Sequence, residues 1–163
     1  MNLFKKNRQR ETASLLILYA SQTGNAKTVA QQAFKFYKKN GLKPALHDVS
    51  DFTPEQLTEY KQVLMVVSTS GKGGPPPSAK KFFSEIESNA MPELQDINYS
   101  VCALGDSSYT LFCEAGKKVD YRLETLNAKR VYPRVDCDAD FSDQAVEWIK
   151  GTYRQIAVLN NNG

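Results

Sequence analysis

Leu15-Leu16-Ile17-Leu18-Tyr19-Ala20-Ser21-Gln22-Thr23-Gly24-Asn25-Ala26 passes from an unbroken apolar run into hydroxyls, amides and one glycine. An apolar run without alternation reads as a strand covered on both faces. Beyond it, Ala26, Val29, Ala30, Ala33, Phe34 and Tyr37 repeat at helical spacing. Gly41 stands where a left-handed residue closes such a helix. Buried strand, polar turn and amphipathic helix make the first unit of a parallel α/β fold.

The pattern recurs along the chain. A weaker, polar strand is expected over about 44–49, and a short helix from Thr53, with Pro54 at its first position and Gln56 completing a capping box. Val63-Leu64-Met65-Val66-Val67 is the next buried strand, followed by a helix bearing Ala79, Phe82, Phe83 and Ile86. A fourth strand spans 99–104, ahead of a helix with Val119, Leu123 and Leu126. A fifth is expected near 130–135, and the last helix carries Ala145, Trp148, Ile149 and Ile156. Five strands and about five helices in alternation predict a three-layer αβα fold. Right-handed crossovers favour a doubly wound, five-stranded parallel sheet in the order 2-1-3-4-5. Pro133 cannot donate to a ladder and suits an edge; His47 and Asp48 suit the other. The expected layout is a basic tail over 1–12, one domain over 13–159 and a disordered end over 160–163.

Composition narrows the function. The formal net charge is +3, no basic run is interleaved with aromatics, and no apolar run approaches the roughly 20 residues of a membrane span. Neither nucleic acid nor membrane is expected as a partner. Cys102, Cys113 and Cys137 are odd in number and form no CxxC, so neither a disulfide framework nor a zinc site is indicated, and a reducing cytoplasm is the default. His47 stands without a nucleophile motif and reads as structural. No catalytic dyad, triad or metal-ligand cluster is present in the sequence.

In an open sheet of this order, ligands bind beyond the carboxyl ends of the strands, at the switch point between the first and third. The sequence is unusual there. Ser21-Gln22-Thr23-Gly24-Asn25-Ala26 sets hydroxyls and an amide where a helix begins, a cradle for an anion. After strand three, Ser68-Thr69-Ser70-Gly71-Lys72-Gly73-Gly74-Pro75-Pro76-Pro77 packs three glycines and three prolines into residues 71–77, a shaped loop. After strand four, Leu104-Gly105-Asp106-Ser107-Ser108-Tyr109-Thr110-Leu111-Phe112-Cys113 brings two aromatics to the same crevice, and a planar ligand could stack on Tyr109.

These three segments, in this order, resemble the flavodoxin-like FMN domains of the diflavin reductase family, the sulfite reductase flavoprotein type in particular. The resemblance covers roughly residues 14–157 and matches the short-chain form. It implies FMN as cofactor. The first loop, Ser21 to Ala26, would grip the phosphate. Ser68, Thr69, Ser70 and Gly71 would line one face of the ring, with a peptide at Gly71 able to flip in favour of the half-reduced flavin. Leu104, Gly105, Asp106, Ser107, Ser108, Tyr109, Phe112 and Cys113 would hold the other side, and the segment Asp136-Cys137-Asp138 would lie nearby. The implied role is a monomeric electron carrier, taking single electrons from an NADPH- or ferredoxin-linked reductase to a metalloenzyme acceptor such as sulfite reductase. Alternatives are a separate FMN subunit or fragment of a diflavin reductase, or a cofactor-free interaction module. A phosphorylation-dependent receiver domain would need acids where Ala20-Ser21 and Ser68 stand.

The chain departs from that family at Ser70, where an aromatic or Gln is common, and at Lys72 and Gly74, where acids are usual. Less negative charge beside a flavin favours its reduced, anionic forms, so a raised potential and altered partner choice are expected.

Overall fold

The computed structural model describes residues 15–162. The expected basic tail over 1–12 lies outside them. In chain order the elements are β1 (Leu15–Ala20), α1 (Asn25–Lys39), β2 (Pro44–Asp48), β3 (Gln62–Ser68), α2 (Lys80–Ile86), β4 (Asn98–Leu104), α3 (Glu114–Thr125), β5 (Lys129–Arg130), β6 (Val135–Cys137) and α4 (Ser142–Asn161). Three short 3-10 turns cover Val49–Asp51, Pro54–Glu59 and Pro77–Ala79. The turn at Pro54 is the short helix expected after Thr53, whose N–H donates to Gln56 Oε1 at 2.8 Å.

All strand pairings are parallel, and the order is β2-β1-β3-β4-β5, with β6 also on β4. Period-two alternation divides the central strands between two cores. Leu16, Leu18, Met65, Val67 and Val101 face α2 and α3 with Phe82, Ile86, Val119 and Leu123. Leu15, Ile17, Leu64, Val66, Cys102 and Leu104 face α1 and α4 with Val29, Ala33, Trp148 and Ile156. Each large aliphatic or aromatic side chain so enclosed contributes about 1.5–3 kcal/mol relative to exposure.

Among the described residues the buried side-chain polar groups are paired except Gln62 Oε1, which has no hydrogen-bond partner. Trp148 Nε1 donates to Ser100 Oγ at 2.9 Å, and that hydroxyl donates to the Tyr132 carbonyl at 3.0 Å. The Tyr37 hydroxyl pairs with Thr152, tying α1 to α4.

The expected fifth strand differs in the structure. It is two short pieces separated by a bulge around Pro133. Asn98 and Tyr99 pair with Lys129 and Arg130, whereas Cys102, Ala103 and Leu104 pair with Val135, Asp136 and Cys137. The edge therefore carries two residues more than β4 over the same rise, and strand character continues past 135 to 137. Pro133 removes a ladder donor at the step. Register also places the functional end. Ala20 is level with Val67, Ser68 with Leu104, and Leu104 with Cys137, so the segments leaving β1, β3, β4 and β6 emerge together.

Candidate functional site

The first of these segments turns at Gly24, whose φ is 91°. Its N–H donates to Ser21 Oγ at 3.0 Å, and its carbonyl accepts the Thr28 N–H at 2.9 Å and the Thr28 hydroxyl at 3.0 Å. The N–H groups of Asn25, Ala26 and Lys27 precede the first intrahelical bond and have no helical partner. No acid occupies the first turn of α1, so its positive end is not neutralised from within.

The second segment is folded on itself. Ser70 N–H donates to the Gly74 carbonyl at 2.8 Å, and Gly73 N–H to the Ser70 carbonyl at 2.9 Å. Gly73 has φ +84°, and a Cβ there would lie 2.5 Å from Leu111 Cδ1. Glycine is required for both reasons, and the contact sets the second loop against the third. A further tie runs from the Ala115 N–H to Thr69 Oγ1 at 3.2 Å.

The third segment is organised by carboxylates. Asp106 Oδ1 accepts the Ser108 N–H at 2.9 Å and its hydroxyl at 2.6 Å. Asp138 Oδ1, beyond β6, accepts the Ser107 N–H at 2.9 Å and the Ala139 N–H at 2.8 Å. Hydrogen bonds from Ser107, then from Ala139, hold the Asp138 carboxyl below the ordinary aspartate value. Gly105 N–H donates to the Cys137 carbonyl at 3.0 Å.

Together the four segments enclose a cleft of about 210 Å³. Of the residues expected from sequence, Gln22, Thr23, Asn25, Ser68, Thr69, Ser70, Gly71, Leu104, Gly105, Asp106, Tyr109, Phe112 and Cys113 line it. Ser21, Gly24, Ser107 and Ser108 shape the loops from behind, and Ala26 is fully buried beneath the first of them. Leu111, Asp138, Ala139 and Phe141 also line the cleft and were not among the expected site residues, although Asp138 was placed nearby by the resemblance. A larger cavity of about 390 Å³ lies at the opposite, amino end of β3 and β4, between Tyr60 and Leu94. Volume does not decide between them. The smaller cleft has the free N–H groups, the aromatic rim and the switch-point position.

The flavodoxin family profile matches residues 17–148. The chain belongs to the flavodoxin family. It is a flavin-binding domain of the electron-transfer kind. Two similar curated proteins are flavoprotein alpha-components of NADPH sulfite reductase. That of Bacillus subtilis is 46% identical over 140 residues, which is 86% of this chain and 23% of the relative. That of Vibrio cholerae is 41% identical over 139 residues, 85% of this chain and 23% of the relative. The chain thus spans about a quarter of the length of these proteins. Among solved structures, the flavodoxin of Streptococcus pneumoniae TIGR4 superposes with a TM-score of 0.79 at 22% identity, over 88% of this chain and 97% of that one. A cysteine-to-alanine variant of the Pseudomonas aeruginosa flavodoxin gives 0.76 at 26% identity, over 86% and 97%.

In this flavodoxin-family domain the floor of the third loop is a thiol. Cys113 is buried with φ 56°, and its Sγ lies 3.5 Å from both the Ala103 and Cys137 carbonyls, to which it can donate. Burial first, then the negative charge of Asp136, pushes this thiol up to about 12 from its ordinary 9.0. An unfolded chain would release the proton near 9, while the folded chain holds it until about 12. The contribution is therefore complete below pH 9 and is lost as pH rises through that window. We expect the urea midpoint to fall between pH 8 and pH 11, and to fall less in Cys113→Ala. Equal falls in the two proteins would place the alkaline sensitivity elsewhere.

Charge at the cleft is mixed. Lys5, Lys6, Arg8 and Arg10 against Glu11 account for the whole excess of +3. Acids and bases balance over residues 15–163, so the slight basicity does not belong to the body around the site.

Proposed function

We propose that the cleft binds FMN and that the domain carries single electrons between a reductase and a metalloenzyme acceptor. The convergence of free N–H groups at the start of α1 with an aromatic-rimmed slot, at one end of the sheet, carries this reading. The donor set fits a phosphomonoester. Thr23 and Asn25 add side-chain donors to the N–H groups, and no carboxylate stands in the first turn of α1. The slot between Ser68–Gly71 and Leu104–Asp106 fits a flat ring, with Tyr109 and Phe141 as apolar rim and Phe112 with Cys113 as floor. At about 210 Å³ it is below the usual 300–1,000 Å³ of a fully enclosing pocket, which fits a ring left partly open to partners. Bound FMN would supply one-electron chemistry; the protein supplies binding, orientation and electrostatics.

The test is fluorescence titration with FMN and with riboflavin, which lacks the phosphate. FMN is expected to be quenched and bound tightly, and riboflavin far less. Thr23→Ala is expected to weaken FMN about tenfold, the effect of losing one hydrogen bond to a charged group, and to leave riboflavin unchanged. If FMN fluorescence and the melting temperature stay constant at saturating ligand, the reading is wrong.

A second reading makes the domain the FMN part of a diflavin reductase, as a separate subunit or as a fragment of it. The identity of 46% to a sulfite reductase flavoprotein, against 22% and 26% to the two flavodoxins, favours it. Saturable reduction of the FMN-loaded domain by the NADPH-oxidising part of such a reductase would support it.

A further inference from the structure

Three of the five large apolar side chains most exposed on the described residues lie on or just before α3: Tyr109 at 57%, Leu111 at 46% and Tyr121 at 68%. Tyr109 and Leu111 line the cleft, and Leu111 covers Gly73 in the second loop. Lys117 and Lys118 precede Tyr121 by four and three residues, so the three side chains share a face of the helix. Lys72 is exposed in the second loop, beside the same contact. None of these three lysines enters an ion pair among the described residues. Lys117 Nζ instead lies 5.7 Å from the centre of the Phe112 ring, bringing positive charge to the rim.

Across the cleft the sign reverses. Asp138, Asp140 and Asp143 stand between the end of β6 and the first turn of α4. Asp138, like Asp106, is committed to loop hydrogen bonds. The rim therefore has an acidic half beside α4 and a net basic, apolar half beside α3, where Glu114 in the first turn stands against Lys72, Lys117 and Lys118.

We propose that the α3 half of this rim is the docking face for a redox protein that presents carboxylates around an apolar spot. The proposal rests on the reading of the cleft as an electron-transfer site, and it adds the partner's chemistry. Unpaired cations at a rim draw in an acidic surface and orient it, while exposed aromatic and aliphatic groups supply the contact that desolvates. Balanced charge over the body leaves this local separation, rather than the net charge, to choose the approach. A neutral or basic partner would have no reason to prefer α3 over α4.

An acidic plant-type [2Fe–2S] ferredoxin is a suitable probe, with a basic c-type cytochrome as its opposite. The full chain, isotopically labelled, is titrated with each while backbone amides are followed by NMR. With the ferredoxin, shifts are expected at Lys72, Leu111, Lys117, Lys118 and Tyr121, fading as salt is raised. Lys117→Glu with Lys118→Glu is expected to weaken binding about tenfold, and Asp140→Lys with Asp143→Lys to leave it as tight or tighter. Leu111→Ser is expected to weaken it without changing the salt dependence. The proposal is overturned by shifts confined to the α4 side, by tighter binding of the cytochrome, by self-association alone, or by no binding. The amide map needs no flavin, and FMN titration of the same sample tests the cleft separately, so the two readings can fail independently.

Discussion

Removing both guanidinium groups that hold Asp120 is expected to cost the fold about 3–5 kcal/mol, more than removing Asp120 itself. Asp120 lies on the inner face of α3 with its side chain only 4% exposed. Arg134 Nη1 donates to one of its oxygens at 2.6 Å and Arg130 Nε to the other at 3.0 Å. Arg134 also donates to Asp136 at 2.7 Å, and Arg130 to Glu124 at 3.3 Å. The two arginines are 26% and 31% exposed, so with Asp120 gone they can turn to water. The carboxylate has no such exit. Arg130→Ala with Arg134→Ala strands a buried anion; Asp120→Ala strands two cations that already reach water and is expected to cost about 2 kcal/mol. Urea unfolding of both variants checks the order. If Asp120→Ala is the more damaging, the network stabilises through packing of the aspartate rather than through compensation of its charge.

That network is also the reason the last strand was only partly legible. Apolar runs and Pro133 place a strand on this edge, and both short pieces are there. The two-residue step between them depends on Asp120, ten positions earlier than Arg130 and on another element, receiving Arg130 from β5 and Arg134 from the bulge. No local pattern encodes a partner that comes from another element. The consequence reaches the site, because the step decides that Cys137 faces Leu104 and that Asp138 arrives over Ser107. The fourth wall of the cleft, Asp138, Ala139 and Phe141, follows from that register; Ala139 and Phe141 were missed for the same reason, and Asp138 was placed nearby only by the family resemblance.

The other three walls were readable because their signals are local. Hydroxyls, amides and glycines following an unbroken apolar run can only be turns at the strand ends, and parallel order puts those ends together. What sequence did not separate was contact from support. Ser21 and Thr23 are both hydroxyl residues of one loop, yet Ser21 Oγ is taken by the Gly24 N–H and Thr23 lines the cleft. Charge was a similar case. The excess of +3 is a property of residues 1–14, and only the folded arrangement shows that the body separates lysines near α3 from aspartates near α4.

Gly105→Ala is expected to damage the cleft strongly. A Cβ at 105 would lie 2.8 Å from the Cys113 backbone nitrogen and 3.1 Å from its Sγ. The nitrogen cannot yield easily, since Cys113 is itself in the left-handed region and its thiol is lodged between the Ala103 and Cys137 carbonyls. Either the third loop swings outward or the 3.0 Å bond from Gly105 N–H to Cys137 is lost, and both open the slot. Overpacking of this kind costs about 1–3 kcal/mol. Carried into binding, that is a loss of roughly ten- to a hundredfold in FMN affinity. Gly71→Ala is the matched control. A Cβ there meets nothing within 4 Å and its φ lies outside the left-handed region, so stability should stay within about 0.5 kcal/mol. A weaker FMN affinity in Gly71→Ala would then report a ligand lying against the second loop rather than a change in the protein. The decisive pattern is a lowered melting temperature and weak FMN for Gly105→Ala, beside an unchanged melting temperature for Gly71→Ala. Full FMN affinity in a folded Gly105→Ala protein would remove the third loop from the binding site.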